Sequence, residues 1–287
     1  MDMSASPYTA DTFRHIARSS PWRWQTVRFE LHRKFPTAYD GGPGRSWVPA
    51  AGAVAGPGNA ARAGAGAASL AEEADPTLSL NCWVRRPGAL RVETLDGKLL
   101  ASTTKINESR DSLFISGNRK PWLLPPSLVN PVKDADGFVV RRPEALYGEP
   151  AYGSGRAAAS LDPVELAGDR PVPLEAPFAN VAEIEDIAVV SHHGRTAVEA
   201  VLTPNSSYHP LFPDAPLLFQ GRTAVRIDLE TGICVASQSL DGDTAGAGHW
   251  MVLLGVDEYM LDDLFEEVSM GLTDVRAHIP WDLGPNA

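Results

Sequence analysis

The feature that most constrains the fold of this chain is an alternation of apolar and polar residues around positions 222–237. From Arg222 to Leu229 every second side chain is Thr, Val, Ile or Leu, and those between are Arg, Ala, Arg and Asp. A period of two is typical of a β-strand with one buried and one solvent-exposed face. Glu230-Thr231-Gly232 interrupts the pattern, and its glycine can adopt the positive φ of a short hairpin loop before alternation resumes at Ile233. The pattern predicts a long antiparallel hairpin.

Similar alternation recurs along most of the chain and predicts a mainly β, antiparallel fold of the α+β kind. In the last predicted strand, Trp250 and Val252 fall on the alternating apolar set with Leu254 and Val256. A short helix is predicted over 9–18, with Thr9 or Asp11 as its N-cap. The strands are predicted over 24–35, 78–84, 90–94, 98–104, 112–116, 184–191, 196–202, 222–229, 233–237 and 249–257.

Two segments interrupt the strands of what we expect to be a single domain over 1–287. Residues 41–75 are mostly Ala, Gly and Pro, which bury too little apolar area to order a chain, so a flexible insertion is predicted there. Residues 119–177 are rich in proline, which excludes a long helix or a central strand. Their apolar content predicts a lid packed on the sheet, with short helices near 144–147 and 162–167.

Charge and composition exclude several classes of partner. The chain has 25 Lys and Arg against 36 Asp and Glu, a net charge of −11, and no basic stripe, which argues against nucleic acid. It contains neither a secretory hydrophobic region nor a run of about 18 apolar residues, so a cytoplasmic protein without a transmembrane segment is expected. Its two cysteines, Cys82 and Cys234, are too few for a disulfide framework or a zinc site, and two free thiols are predicted.

No motif in the sequence predicts a catalytic, metal or cofactor site. His192-His193-Gly194 fits a hairpin turn better than a metal site, because no Cys or carboxylate spacing completes a ligand set. Ser206-Ser207 has no nucleophile elbow around it, and the acidic residues of 257–267 read as a solvated face. We therefore expect a protein without enzymatic activity, metal or cofactor.

Two stretches resemble a known superfamily. They are Cys82–Glu93, CWVRRPGALRVE, followed by Asp96-Gly97, and Ala224–Ala236, AVRIDLETGICVA. They are similar to the paired signatures of the bacterial lipoprotein-carrier superfamily, the LolA, LppX and RseB-like half-barrels, and of the actinobacterial proteins grouped with them. The resemblance covers 22–35 and most of 78–265. It implies a strongly curved antiparallel sheet, an unclosed half-barrel plugged by short helices, which binds acyl chains or a partner protein segment without catalysis.

On such a scaffold the candidate ligand site is the apolar concave face. The hypothesis is a pocket for a hydrophobic small molecule or lipid under the proline-rich lid. The alternative is a cytoplasmic protein-interaction or regulatory module with a solid core, which binds a protein partner through a sheet edge or the loops around Trp47 and Tyr208. The predicted ligand-binding residues are Val27, Phe29, Leu90, Val92, Leu113, Ile115, Val198, Val225, Ile227, Val235, Trp250 and Val252.

Overall fold

The structure, a computed structural model, describes residues 7–35, 77–104, 126–143, 149–168 and 180–266. These ranges form a nine-stranded antiparallel sheet, a two-stranded sheet and two short α-helices, which confirms the predicted mainly β fold. The strands are β1 (Thr26–Lys34), β2 (Thr77–Arg85), β3 (Ala89–Thr94), β4 (Leu99–Thr103), β5 (Val132–Lys133), β6 (Val139–Arg141), β7 (Ala182–His192), β8 (Arg195–Pro204), β9 (Thr223–Asp228), β10 (Cys234–Ser239) and β11 (Gly248–Val256). The predicted insertion at 41–75, the strand at 112–116 and the helix at 144–147 lie outside the described residues.

The large sheet has the strand order β4-β3-β2-β1-β11-β10-β9-β8-β7. Its middle strand, β11, pairs with β1, which is the first strand in the sequence whereas β11 is the last. The ladder between β10 and β11 has three residue pairs, fewer than any other ladder of this sheet. In the described part of the chain the outermost strands β4 and β7 do not pair with each other, so the sheet is not a closed barrel.

The first helix, α1, spans Ala10–Ser19, close to its predicted bounds. Thr9 is the N-cap, and its hydroxyl accepts a hydrogen bond from the Thr12 amide at 3.2 Å. This bond satisfies one of the amides that lack a partner in the first turn. Phe13 and Ile16 are fully buried against the sheet, so the apolar stripe of the helix is part of the core.

The second helix corrects the prediction for 162–167. The helix α2 spans Arg156–Leu161, before the predicted position, and begins after Gly155, whose φ is +83°. Only a 3₁₀ turn, Val164–Leu166, occupies the predicted range. The carboxylate of Asp162 does not cap a helix; it accepts from Arg142 Nη1 at 3.0 Å and Nη2 at 2.5 Å. Asp162 and Arg142 therefore form a bidentate salt bridge just after the end of α2.

The sheet has two faces of different character. The helices pack on the core face, which carries Phe29, Val198, Val225 and Ile227. The opposite face, called the outer face below, carries the intervening side chains of the same strands, including Arg226. The alternation predicted for β9 is confirmed, since Val225 and Ile227 are 0% exposed and Arg226 is only half-buried.

The tip of the β7–β8 hairpin lies against a distant strand. His193 and Gly194 form its turn with φ values of +48° and +81°, the paired positive values of a two-residue hairpin turn. The predicted turn is therefore confirmed. His192 Nε2 donates a hydrogen bond of 2.8 Å to the carbonyl oxygen of Met251 in β11. The hairpin tip thus reaches across β9 and β10 to β11.

A candidate ligand-binding groove on the outer face

Eight of the predicted ligand-binding residues lie together on or beside the core face. Each is 2% exposed or less, and each packs against other side chains of the chain itself, including residues of α1 or α2. The described residues of this face are therefore filled core. Leu113 and Ile115 lie outside the described residues. The eight are Val27, Phe29, Leu90, Val92, Val198, Val225, Ile227 and Val235.

Trp250 and Val252 lie on the other side of the sheet from the predicted one. Trp250 pairs with His32 and Val252 with Glu30, which places both on the outer face, and Trp250 is 39% exposed. His249 and Met251 occupy the core side of β11 instead. Both alternating sets of this strand are largely apolar, so periodicity alone could not assign its faces.

The buried ring of His249 is held in the core by hydrogen bonds at Nε2. Its Nε2 lies 3.0 Å from the carbonyl oxygen of Cys234 and 3.1 Å from Ser160 Oγ on α2. Burial, followed by the charge of Arg156, lowers the pKa of His249 to about 3, so the ring is neutral at physiological pH. Since a carbonyl oxygen only accepts, Nε2 carries the proton and cannot take one from Ser160. The Ser160–His249 pair therefore has a structural role, and His249 does not act as a general base for Ser160.

The sheet register places five outer-face side chains in one row across five strands. Arg226 on β9 is opposite Glu199 on β8 and Ala236 on β10, which in turn is opposite Trp250 on β11 and then His32 on β1. Adjacent strands are about 4.8 Å apart, so the backbones that carry Trp250 and Arg226 are separated by about 10 Å. The methyl group of Ala236 is the only side chain of the row between them.

A second row runs beside the first. Lys34 on β1 is opposite Gly248 on β11, which is followed by Gln238 on β10 and Ala224 on β9. A Cβ at Gly248 would lie 1.9 Å from the carbonyl oxygen of Ser237, so the close approach of these strands requires glycine. This row therefore has small residues at two of its four positions.

Between the walls formed by larger side chains lies a groove of about 480 Å³. This volume is within the range of about 300–1,000 Å³ typical of small-molecule sites. The residues of the β7–β8 tip form one side of the groove. Residues with small or no side chains also line it, which leaves space between the larger ones: Ala224, Ala236, Gly246 and Gly248. The larger side chains around it are Lys34, His192, His193, Glu199, Arg226, Gln238 and Trp250.

The aromatic and cationic walls of the groove are each held from behind. The Trp250 ring stacks on His32 with a centroid distance of 5.0 Å and an interplanar angle of 15°. Arg226 Nε donates to Glu199 Oε2 at 2.5 Å, on the side away from Trp250. His32 and Glu199 thus lie on the outer sides of Trp250 and Arg226. Between these two residues the row contains only the small side chain of Ala236. The register thus places an indole and a guanidinium on either side of Ala236.

The groove carries positive charge in an acidic chain. Lys34 and Arg226 supply two positive charges and Glu199 one negative charge, whereas the whole chain has a net charge of −11. Within the described ranges no carboxylate lies within ion-pair distance of Lys34. Burial is the largest cause that lowers the pKa of His192, followed by its neighbours His193 and Arg226, so His192 acts as a neutral donor to Met251. The groove therefore favours a negatively charged ligand.

The sequence contained a weak signal for this site. It placed Arg226 on the solvent-exposed face of β9, which is confirmed, but it did not connect that residue with Lys34, Glu199 or Gln238. Their association depends on strand register and on the β1–β11 pairing, and neither is visible in local sequence.

Comparisons of the chain with protein-family models, curated proteins and solved structures found no match. No helix in the described ranges is long and apolar enough to cross a membrane, and these ranges contain no cluster of three or more metal-ligating side chains. The outer-face groove is therefore a candidate site on the evidence of its geometry alone.

Proposed function

We propose that this protein is a non-enzymatic binding protein and that an anionic ligand occupies the groove on the outer face. The observation that supports this proposal is the groove itself, which combines about 480 Å³ of space with Lys34, Arg226 and the exposed Trp250. A ligand anion would pair with Lys34 directly. At Arg226 it would share the guanidinium with Glu199, whose contact occupies Nε.

The proposal keeps the binding role implied by the resemblance but changes the site. A hydrophobic ligand on the core face would have to displace side chains such as Phe29 and Ile227, which are 0% exposed. The half-barrel form of the sheet is also part of the proposal. The hydrogen bond between His192 on β7 and Met251 on β11 supports it, because a flat sheet would hold these strands four positions apart.

The experiment that tests the proposed function is isothermal titration calorimetry with small anions at low and at physiological salt. We expect at least one of ribose 5-phosphate, adenosine 5′-monophosphate, acetate and indole-3-acetate to bind, more weakly as salt rises. Binding should fall at least about fivefold in Lys34→Met, which removes a cation that has no carboxylate partner among the described residues. Arg222→Met removes an exposed arginine outside the groove and should bind like the wild type. If none of the four anions binds, or if both variants behave alike, the proposal is wrong.

A second candidate function is a protein interaction at the sheet edge, the alternative drawn from the sequence. The observation that favours it is β7, which has 11 residues, ends the described sheet and exposes Val189. An irregular register between Glu185 and Ala188 weighs against it, because irregularities of this kind protect sheet edges from pairing with another strand. Pull-down with the wild type and with Val189→Lys tests it, and a partner retained equally by both would exclude this edge.

A further inference from the structure

We infer that the ligand of the groove carries a planar aromatic ring, which stacks between Trp250 and Arg226 above Ala236, with its anionic group at Lys34. This inference rests on the proposed function and specifies the chemical class of the ligand. The row His32–Trp250–Ala236–Arg226–Glu199 is the observation that carries it.

The width of the slot between Trp250 and Arg226 matches one ring. Atoms in contact are about 3.5 Å apart, so a ring stacked on both sides needs about 7 Å between the two flanking planes. The backbones that carry Trp250 and Arg226 are separated by two strand spacings, about 10 Å, which leaves room for this arrangement. Because Ala236 projects only a methyl group between them, the ring can lie above it without displacing a larger side chain of that row.

The two walls are chemically suited to the faces of a ring. An indole stacks on aromatic rings, and a guanidinium is attracted to the negative face of a π system. His32 covers the far face of Trp250, and Glu199 binds Arg226 from its far side. Both walls are therefore positioned before the ligand arrives, which reduces the entropy lost on binding.

The second row places the remaining groups of the ligand. Lys34 is opposite Gly248 in this row, and its Nζ would lie 3.8 Å from a Cβ built at Gly246, in the loop before β11. An anionic substituent of the ring can pair with that ammonium group, while the amide of Gln238 is able to hydrogen-bond the ring edge. The preferred ligand thus has a ring and an anion on one compact molecule.

Aromatic carboxylates and nucleoside monophosphates share this chemistry, and one titration series distinguishes them. Adenosine 5′-monophosphate is compared with ribose 5-phosphate, which has the anion alone, and with adenosine, which has the ring alone. Indole-3-acetate is compared with acetate. In at least one series we expect the ring-bearing anion to bind at least about fivefold more tightly than its ringless counterpart, the lower end of a stacking contribution.

Two variants test the slot itself. Trp250→Leu removes the aromatic wall, and Ala236→Leu fills the space between the walls. Both lie on the outer face, so the core remains intact, and circular dichroism establishes that each variant folds. We expect both to lose the advantage of the ring-bearing anion and to retain binding of the ringless anion. Tyr259→Leu, at an aromatic residue that is 90% exposed and outside the groove, is the matched control and should change neither.

The outcomes separate the inference from the proposed function. If ringless and ring-bearing anions bind equally well, or if the advantage of the ring survives in Trp250→Leu and Ala236→Leu, the stacking slot is wrong while anion binding stands. If adenosine binds as well as its monophosphate, the role given to Lys34 is wrong. If no anion binds, the proposed function fails and the inference fails with it.

Discussion

At the scale of single residues, Glu199 already occupies part of the site proposed for the ligand. Its carboxylate binds Arg226 Nε at 2.5 Å, with both side chains about one-third exposed. A ligand anion near Arg226 is repelled by this carboxylate and competes with it. Glu199→Gln should therefore tighten binding of the anions by about two- to fivefold, the size of a solvent-exposed ion pair. Calorimetry on both proteins measures it, and weaker binding by the variant would mean that Glu199 itself contacts the ligand.

Residue-scale reasoning from the sequence succeeded where the two alternating sets of a strand differ in polarity. Arg226 and Ile227 were assigned to the correct faces, because only one set of β9 is apolar. It failed in β11, where Trp250 and Met251 are both apolar and only tertiary contacts decide between them. The polar residue that shares a face with Met251 is His249, and its bonds to Cys234 and Ser160 could not be foreseen from the strand alone.

At the scale of elements, the contact between α2 and β11 makes stability depend on pH. The pKa of His249 is about 3 in the fold and near 6.5 in the unfolded chain, mainly because of burial. The unfolded chain therefore binds a proton that the folded chain excludes, and stability is lost as pH falls from about 6.5 towards about 3. Urea denaturation between pH 5.5 and 4.5 measures this effect. Over that pH unit the free energy of unfolding should fall by about 1.4 kcal/mol less in His249→Gln than in the wild type.

The control for this experiment is His193→Gln, at an exposed position on the hairpin turn. In this variant the free energy of unfolding should depend on pH between 5.5 and 4.5 as it does in the wild type. An unchanged slope in His249→Gln would show that this imidazole is not the group excluded from protonation.

Another element-scale contact joins the turn after β2 to the segment that follows α1. Arg86 is a fully buried side chain that donates to Glu149 at 2.6 Å and to the carbonyl oxygen of Trp24 at 2.6 Å. Arg86→Met leaves the buried Glu149 without this cation and should lower the free energy of unfolding by about 3–5 kcal/mol. The neighbouring Arg85→Met loses a pair with the exposed Asp262 and a hydrogen bond to the carbonyl oxygen of Met260, and should cost about 1–2 kcal/mol. Similar losses in both variants would contradict the assignment.

At the scale of the whole molecule, the nine strands of the large sheet and most of its hairpins were predictable, whereas β5, β6 and the order of the sheet were not. Hairpins follow from local alternation and turn residues, as at Arg86-Pro87-Gly88 and His193-Gly194. The insertion of β1 between β2 and β11 depends on contacts between the two ends of the chain. The groove follows from that insertion, so its full set of residues could not be predicted either.

The filled core face carries a whole-molecule prediction about cargo. Because residues such as Val225 and Ile227 are fully buried in the chain's own packing, purified protein should carry no lipid in a one-to-one ratio. Native mass spectrometry followed by organic extraction measures this. A bound lipid that leaves on unfolding would instead favour the core-face pocket expected from the sequence, and it should then be lost in an Ile227→Asp variant that remains folded.

The three-pair ladder between β10 and β11 joins two parts of the large sheet, β4-β3-β2-β1-β11 and β10-β9-β8-β7. This short ladder is called the seam. Trp250 belongs to the first part and Arg226 to the second, so a ligand bound between them contacts both parts and stabilises their pairing at the seam. By linkage, ligand at 100 times its dissociation constant stabilises the closed seam by about 2.7 kcal/mol. The amides of Ser237 and Ser239, which point across the seam toward β11, should then exchange with solvent about a hundredfold more slowly, which makes the seam a reporter of occupancy even before the ligand is identified.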